Sequence, residues 1–201
     1  MAKIQSQQEK MNIQLRNAAH RGDIRAIKKL IQDGAQVNGA NKDEHTALMY
    51  AAVRGDARAI EALVKVGANL EATDKRGKTA LYHAAMNGNV EAVEELIKRG
   101  ADLNSRNVIN ETILDALNRN MKNCKDPEKL QKLQQAQAVL VNAGAKTSHQ
   151  LRAEGRQEGS WFANSLLGRL LGLDDKSQAQ NITQDNAQQR TAPQHQNRGR
   201  G

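Results

Sequence analysis

The chain has 201 residues, of which 30 are basic and 22 acidic, and its formal net charge is +8. This length predicts one domain of ordinary size with tails. Both signs of charge are interspersed, so the basic excess is only a weak argument for nucleic-acid binding. Aromatic residues make up 2% of the chain, and the core must therefore come from Ala, Leu, Ile and Val. The single cysteine, Cys124, excludes an internal disulfide and a cysteine zinc site, and it agrees with a reducing compartment.

The N-terminal residues 1–11 are a polar extension that either frays or continues the first helix backwards. They contain no apolar stretch that could serve as a secretory signal, and no segment of the chain reaches the length of a membrane span. We therefore expect a cytoplasmic protein.

The next part of the chain repeats itself every 33 residues. Gly-Asp or Gly-Asn pairs begin at Gly22, Gly55 and Gly88, and Gly-Ala pairs begin at Gly34, Gly67 and Gly100. A fixed period of this size is typical of stacked repeat architectures. The sequence predicts a repeat domain over residues 12–145, with copies at 12–41, 44–74, 77–107 and 110–145.

Each copy predicts two short antiparallel helices. In the third copy Thr79 caps the first helix, Gly88 turns the corner, Asn89 caps the second helix and Gly100 ends it. One pair offers too little apolar surface to be stable alone, so neighbouring pairs must supply the rest. Leu96 is predicted to lie in the core between layers.

The fourth copy contains eleven additional residues, which we place between its two helices around residues 121–127. The run Asp126-Pro127-Glu128 is a strong helix start, and the helix from there to about Asn142 is long. Its mainly polar outer side suits a terminal capping layer. The residues predicted to face inward are Leu130, Leu133, Ala136, Leu140 and Val141.

Three segments follow the repeats. Residues 146–159 are predicted to be a charged linker, residues 160–173 an amphipathic helix, and residues 174–201 a disordered tail rich in Gln and Asn. The amphipathic helix is a candidate second contact segment that docks on a partner or a membrane surface. The alternative is that it packs back onto the repeats. Its main apolar contacts would be Trp161, Phe162, Leu166 and Leu170.

Together, the Thr-x-Leu-x-x-Ala-Ala run, the Gly-Asp or Gly-Asn corner and the terminal Gly-Ala-x-x-Asn resemble the ankyrin repeat. The resemblance implies an all-α solenoid of stacked helix pairs with β-turn fingers. It further implies a non-enzymatic scaffold, inhibitor or adaptor that needs no cofactor. The family's Thr-Pro-Leu-His becomes Thr-Ala-Leu-Met from Thr46, Thr-Ala-Leu-Tyr from Thr79 and Thr-Ile-Leu-Asp from Thr112. Loss of the proline and of the loop-binding histidine implies a less stable array.

No catalytic, cofactor or metal motif emerges from the sequence. The five histidines, His20, His45, His83, His149 and His195, show no metal-ligand spacing with one another or with Cys124. For His83 a surface or structural role is favoured over metal binding.

The leading functional hypothesis is a monomeric protein-binding module whose partner sits on the concave face formed by the finger tips and the exposed ends of the first helices. Basic and apolar residues there favour a partner with an acidic surface. A solvated basic turn and a mere spacer remain alternatives. The candidate residues, which differ between copies, are Lys42, Asp43, His45, Val53, Arg54, Lys75, Arg76, Lys78, Met86, Asn87, Val108 and Ile109. Arg54 is expected beside the basic cluster of residues 75–78.

A second hypothesis concerns the C-terminal arginines. Arg190, Arg198 and Arg200 resemble the arginine pattern of some substrates of bacterial type IV secretion, among which ankyrin repeats are frequent. This alternative describes an effector that is exported into a host cell and binds host proteins or membrane surfaces. A solubilising tail is the competing interpretation.

Overall fold

The computed structural model describes residues 2–154, with side chains described from residue 7 onward. Residues 1–151 group into one compact unit. The helices are α1 (Ala2–Arg21), α2 (Ile24–Gln32), α3 (Ala47–Arg54), α4 (Ala57–Lys65), α5 (Ala80–Met86), α6 (Val90–Lys98), α7 (Ile113–Lys122) and α8 (Pro127–Asn142). A further helix begins at Ser148, and its described part ends at residue 154.

The helices stack in two layers. The first helices of the repeats, α1, α3, α5 and α7, contact one another in sequence order, and so do the second helices, α2, α4, α6 and α8. The described residues contain no β-strand. This arrangement confirms the predicted all-α solenoid.

A threonine starts three of the first-layer helices. The side chains of Thr46, Thr79 and Thr112 each accept a hydrogen bond from the backbone N–H three residues later. Such a bond satisfies one of the N–H groups that a helix start leaves without a partner. These caps confirm the predicted helix starts.

Asn89 does not act as predicted. It precedes α6, but its side chain makes no capping bond; its Nδ2 donates to the carbonyl oxygens of Ala52 and Val53 at 2.9 and 2.8 Å. Asp56, at the same position one repeat earlier, does cap its helix. A carboxylate only accepts, whereas an amide also donates, and the carbonyls at the end of α3 can accept these additional hydrogen bonds. Asn89 therefore ties α6 to the preceding repeat.

The core repeats with the sequence period. Leu15, Leu48, Leu81 and Leu114 are buried at the same position of successive first helices. Leu96 on α6 is fully buried, as predicted. The predicted N-terminal extension continues the first helix, because α1 already begins at Ala2.

The fourth repeat absorbs its additional residues mainly in its helices. α7 has 10 residues where α5 has 7, α8 has 16 where α6 has 9, and the corner has four residues instead of three. The prediction that the insertion lies between the helices was therefore largely wrong. Leu133, Ala136 and Leu140 are buried and Leu130 is partly buried, but Val141 is 51% exposed. Val141 lies about 100° around the helix from the buried Leu140, outside the apolar stripe that Leu133, Ala136 and Leu140 form.

The predicted linker contains a helix. Thr147 and Gln150 form reciprocal hydrogen bonds at its start: the Gln150 side chain accepts from the Thr147 N–H, and the Thr147 hydroxyl accepts from the Gln150 N–H. This is a capping box, which promotes a helix in a polar segment. The Ser148 N–H also donates to Asp115 Oδ2 at 2.9 Å, which joins this segment to α7.

Candidate functional site

Three hairpin turns connect the repeats, and all three are built in the same way. We define hairpin 1 as residues 41–46, hairpin 2 as residues 74–79 and hairpin 3 as residues 107–112. The first residue of each turn accepts, through its side-chain Oδ1, hydrogen bonds from the backbone N–H groups two and four residues later. All six donor–acceptor distances lie between 2.8 and 3.0 Å. Asn41, Asp74 and Asn107 are these acceptors.

Backbone hydrogen bonds join the three hairpins in a row. The Lys75 N–H donates to the Asp43 carbonyl at 3.3 Å, and the Val108 N–H donates to the Arg76 carbonyl at 3.0 Å. Side chains at corresponding positions of the three turns therefore lie beside one another. We call this surface, residues 42–45, 75–78 and 108–109, the hairpin face.

The hairpin face carries basic side chains next to an exposed apolar pair. Val108 and Ile109 are 68% and 63% exposed. Lys75 Nζ lies 3.7 Å from Asp43 Oδ1, and Lys78 Nζ lies 4.8 Å from the centre of the Tyr82 ring. A pocket of about 460 Å³ opens here, lined by Asp43, His45, Asp74, Lys75, Arg76, Lys78 and His83.

An aromatic groove lies next to this pocket on the first-layer helices. Its volume is about 340 Å³, and its lining is His20, His45, Met49, Tyr50, Val53 and His83. Tyr50 contacts His20 and His45 edge to face, with ring centres 5.9 Å apart in both pairs. His45 contacts His83 in the same way at 5.6 Å. Since His45 and His83 line both cavities, the groove and the basic pocket are adjacent.

Two histidines converge on one buried carboxylate at this junction. Asp74 Oδ2 lies 3.1 Å from His83 Nε2 and 3.5 Å from His45 Nε2. Burial of the Asp74 carboxyl opposes its ionisation, but the N–H groups of residues 78 and 76 and the nearby His83 outweigh this and lower its pKa. Burial lowers the pKa of His83 despite the attraction of Asp74. A neutral His83 therefore faces an ionised Asp74 near neutral pH.

The structure brings most of the predicted partner-binding residues together. Eight of them lie on the hairpin face: Lys42, Asp43, His45, Lys75, Arg76, Lys78, Val108 and Ile109. Val53 lies in the adjoining groove. Met86 and Asn87 lie at the end of α5, where Asn87 forms the helix C-cap.

Arg54 does not join the basic cluster, contrary to expectation. It ends α3, about 12 Å along the helix from hairpin 1 at ~1.5 Å per residue. Its guanidinium donates to the His20 carbonyl at 3.3 Å and lies 3.9 Å from Asp56 Oδ2. Helix length separates it from the hairpin residues.

Sequence reasoning missed His20, Tyr50, Asp74 and His83 as members of this surface. A signal existed at position 74, where an aspartate stands between the asparagines at 41 and 107. The spacing of the histidines along the sequence also gave no sign that two of them lie together in the fold. His45 and His83 meet because adjacent repeats stack, and they occupy different positions within their repeats.

Two groups of predicted residues lie outside the described part of the chain. They are the second contact segment (Trp161, Phe162, Leu166 and Leu170) and the export pattern (Arg190, Arg198 and Arg200). Among the helices of residues 2–154, none combines the length and the apolar character needed to cross a membrane.

Comparison with known proteins identifies the repeats. The family model described as "Ankyrin repeats (3 copies)" matches residues 15–107, which run from α1 to the start of hairpin 3. No curated protein matches the chain.

Proposed function

Residues 15–107 belong to the ankyrin repeat family, and we propose that the chain binds a partner protein on its hairpin face and the adjoining aromatic groove. Ankyrin repeats are generally protein–protein interaction modules and are typically non-enzymatic. The proposal assigns this general activity to a particular surface.

The proposal rests on a contrast within each hairpin between the residues that form the turn and the residues between them. The residues that make the turn repeat: an Oδ1 acceptor begins each hairpin and a threonine cap ends it. The residues between them differ in charge and polarity from one copy to the next. A stacked repeat needs only its buried and turn-forming positions, so the intervening side chains are free to serve binding.

The chemistry of the face favours a partner with an acidic surface and an apolar anchor. Lys75 and Arg76 project from hairpin 2 beside the exposed Val108 and Ile109 of hairpin 3. In such an interface, charge complementarity mainly sets encounter rate and register, and burial of apolar side chains supplies more of the affinity. The backbone bonds between hairpins hold these two kinds of side chain next to each other before a partner arrives.

Site-specific photo-cross-linking tests where the partner sits. A photoreactive amino acid replaces Ile109 in the full chain, and the chain is irradiated in extract of the cells in which it acts. We expect a covalent adduct with one defined protein, identified by mass spectrometry.

The matched control places the same photoreactive residue at Val66, an apolar residue 44% exposed at the end of α4. The proposal predicts little or no adduct from position 66. An adduct that forms from 66 but not from 109 would overturn it and move the contact to the second-layer helices.

A further inference from the structure

The cluster of His45, Asp74 and His83 has the composition and spacing of a metal site. One ligand atom from each residue, a nitrogen of each histidine and a carboxylate oxygen, lies within 4.8 Å of the other two. The Asp74 side chain is 5% exposed, His83 is 18% exposed and His45 is 34% exposed. The three groups therefore form a partly enclosed cup that opens toward solvent on the His45 side.

The turn itself does not require the Asp74 carboxylate. Oδ1 of Asp74 receives the two turn-forming N–H bonds, from Arg76 and Lys78. At hairpins 1 and 3 an asparagine makes the same two bonds with its single side-chain oxygen. The second carboxylate oxygen of Asp74 faces the two imidazoles and lies within hydrogen-bond distance of His83 Nε2. At the same place in hairpin 1 the amide nitrogen of Asn41 donates to the Tyr50 hydroxyl, so hairpin 2 differs in offering an anionic oxygen there.

The two histidines are not dictated by the repeat either. The positions that correspond to His45 hold Lys78 and Glu111, and those that correspond to His83 hold Tyr50 and Ala116. The two imidazoles come from different places in successive repeats, one in hairpin 1 and one on α5. They nevertheless point at the same oxygen atom.

We propose that His45, Asp74 and His83 bind a divalent transition-metal ion of the Zn²⁺ class. Zn²⁺ binds histidine nitrogen at about 2.0–2.1 Å and carboxylate oxygen at about 2.0–2.2 Å, which places neighbouring tetrahedral ligand atoms about 3.3 Å apart. The two oxygen–nitrogen distances, 3.1 and 3.5 Å, already match. Only the two imidazole nitrogens need to approach each other, through a small rotation of the more exposed His45.

The surrounding residues support this assignment. The N–H groups of residues 76 and 78 hold Oδ1 of Asp74 and fix the orientation of its carboxylate, as outer partners of metal ligands commonly do. The ammonium group of Lys75 lies against Asp43, and that of Lys78 lies over the Tyr82 ring. Each of these two cations therefore has another group beside it, although both side chains line the same pocket as the cluster.

The ligand types select the metal. Two imidazoles and one carboxylate suit Zn²⁺, Co²⁺, Ni²⁺ and Cu²⁺, whereas Mg²⁺ and Ca²⁺ prefer oxygen ligands. Three protein ligands leave a fourth position for water or for a side chain of the partner. A bound ion would also join hairpin 1 to the third repeat.

Metal titration of the full chain without an affinity tag tests the proposal. Co²⁺ serves as a spectroscopic probe, because its visible absorption bands report tetrahedral coordination, and a chromophoric chelator in competition measures the affinity for Zn²⁺. We expect one ion per chain, and a higher melting temperature with Zn²⁺ but not with Mg²⁺.

The variants Asp74→Asn and His83→Asn identify the ligands. Asparagine at 74 can keep both turn bonds, as it does at hairpins 1 and 3, so circular dichroism should show a folded chain. Each variant should lose at least about tenfold in Zn²⁺ affinity, together with the Co²⁺ bands. The matched control is His20→Asn, which removes an imidazole that contacts Tyr50 and lies outside the cluster. This control should bind Zn²⁺ and Co²⁺ as the wild type does.

Two results would overturn the proposal. One is the lack of stoichiometric Zn²⁺ or Co²⁺ binding by the wild type at micromolar metal. The other is binding that persists in Asp74→Asn and His83→Asn, which would place the ion on other histidines.

Discussion

Hairpin 2 and the two hairpins beside it have the same backbone conformation but carry different side chains. All three have the same Oδ1 acceptor bonds, and all three have a residue with φ between 62° and 72° at the fourth position, Glu44, Gly77 or Asn110. Hairpin 2 alone begins with a carboxylate and carries three basic residues. Three features recur in every hairpin, namely the Oδ1 acceptor, the residue with positive φ and the threonine cap, so the remaining side chains are free to serve recognition.

The largest expected loss of stability comes from the buried layer beneath the hairpins. Leu96→Ala removes a fully buried side chain of α6, which packs between α4 and α8. We expect the free energy of unfolding to fall by about 2–5 kcal/mol, measured by urea denaturation. A change below about 1 kcal/mol would contradict the assignment of Leu96 to the core.

The next largest loss of stability should come from replacing Gly77 of hairpin 2, at the position where hairpin 1 has Glu44. Gly77 has φ +72°, and an added Cβ would lie 2.9 Å from the Val108 nitrogen and 3.1 Å from the Asn107 Cα. Gly77→Ala should therefore cost more than the roughly 1–2 kcal/mol of a left-handed alanine, because backbone atoms must move. Denaturant melts measure this loss. A neutral result would mean that hairpins 2 and 3 are not held as closely as described.

Asp115 occupies the position at which the family has a histidine, and its replacement tests whether the acid stabilises the fold there. Its Oδ2 accepts from the Thr112 N–H, the Thr112 hydroxyl and the Ser148 N–H, so it both caps α7 and binds the following segment. Asp115→Ala should reduce the free energy of unfolding by about 1–2 kcal/mol.

The contribution of Asp115 to stability should depend on pH. Burial opposes ionisation of Asp115, but the N–H groups of Ser148 and Thr112 outweigh it, and the pKa lies below its ordinary value of 3.8. Because the pKa is lowered on folding, the stabilisation is present above that ordinary value and is lost as pH falls through the folded pKa. The difference in stability between wild type and Asp115→Ala should shrink in acid; a difference that is constant from pH 7 to about pH 2 would contradict this.

Replacement of Glu44 should give the smallest change in stability, and this change should be an increase. It occupies the position of Gly77 in hairpin 1 with φ 64°, which an L-residue other than glycine adopts at a cost. Glu44→Gly should raise stability by up to about 1 kcal/mol. If the two hairpins have the same backbone conformation, Glu44→Gly should raise the melting temperature and Gly77→Ala should lower it. Shifts in the same direction would show that they do not.

The repeat period, the threonine caps, the buried leucines and the start of α8 at Pro127 all could be predicted from the sequence. Each depends on local chemistry or on a pattern repeated in several copies. The role of Asn89 could not be predicted, because an amide can either accept or donate and its partners lie in the preceding repeat. Val141 was misassigned because it lies at the edge of the apolar stripe, and the sequence does not show how wide a stripe the neighbouring helices cover.

The candidate site was predicted less completely. The variable hairpin residues were found because positions can be compared between copies of one sequence. The convergence of His45 and His83 on Asp74 could not be found that way, since it joins positions that do not correspond between repeats. Arg54 was placed in the basic cluster because its distance from hairpin 2 depends on helix length and stacking, neither of which the 33-residue period reveals.

Stability and partner affinity, measured on the same variants, test whether the hairpin face is the binding surface. Lys75→Glu with Arg76→Glu, and separately Ile109→Ala, change exposed side chains that take no part in the turn bonds. The charge-matched control is Lys28→Glu with Lys29→Glu, an exposed basic pair on α2. We predict that both hairpin variants unfold within about 0.5 kcal/mol of the wild type yet bind the cross-linked partner at least about tenfold more weakly, whereas the control binds normally. Normal binding by both hairpin variants would contradict the account.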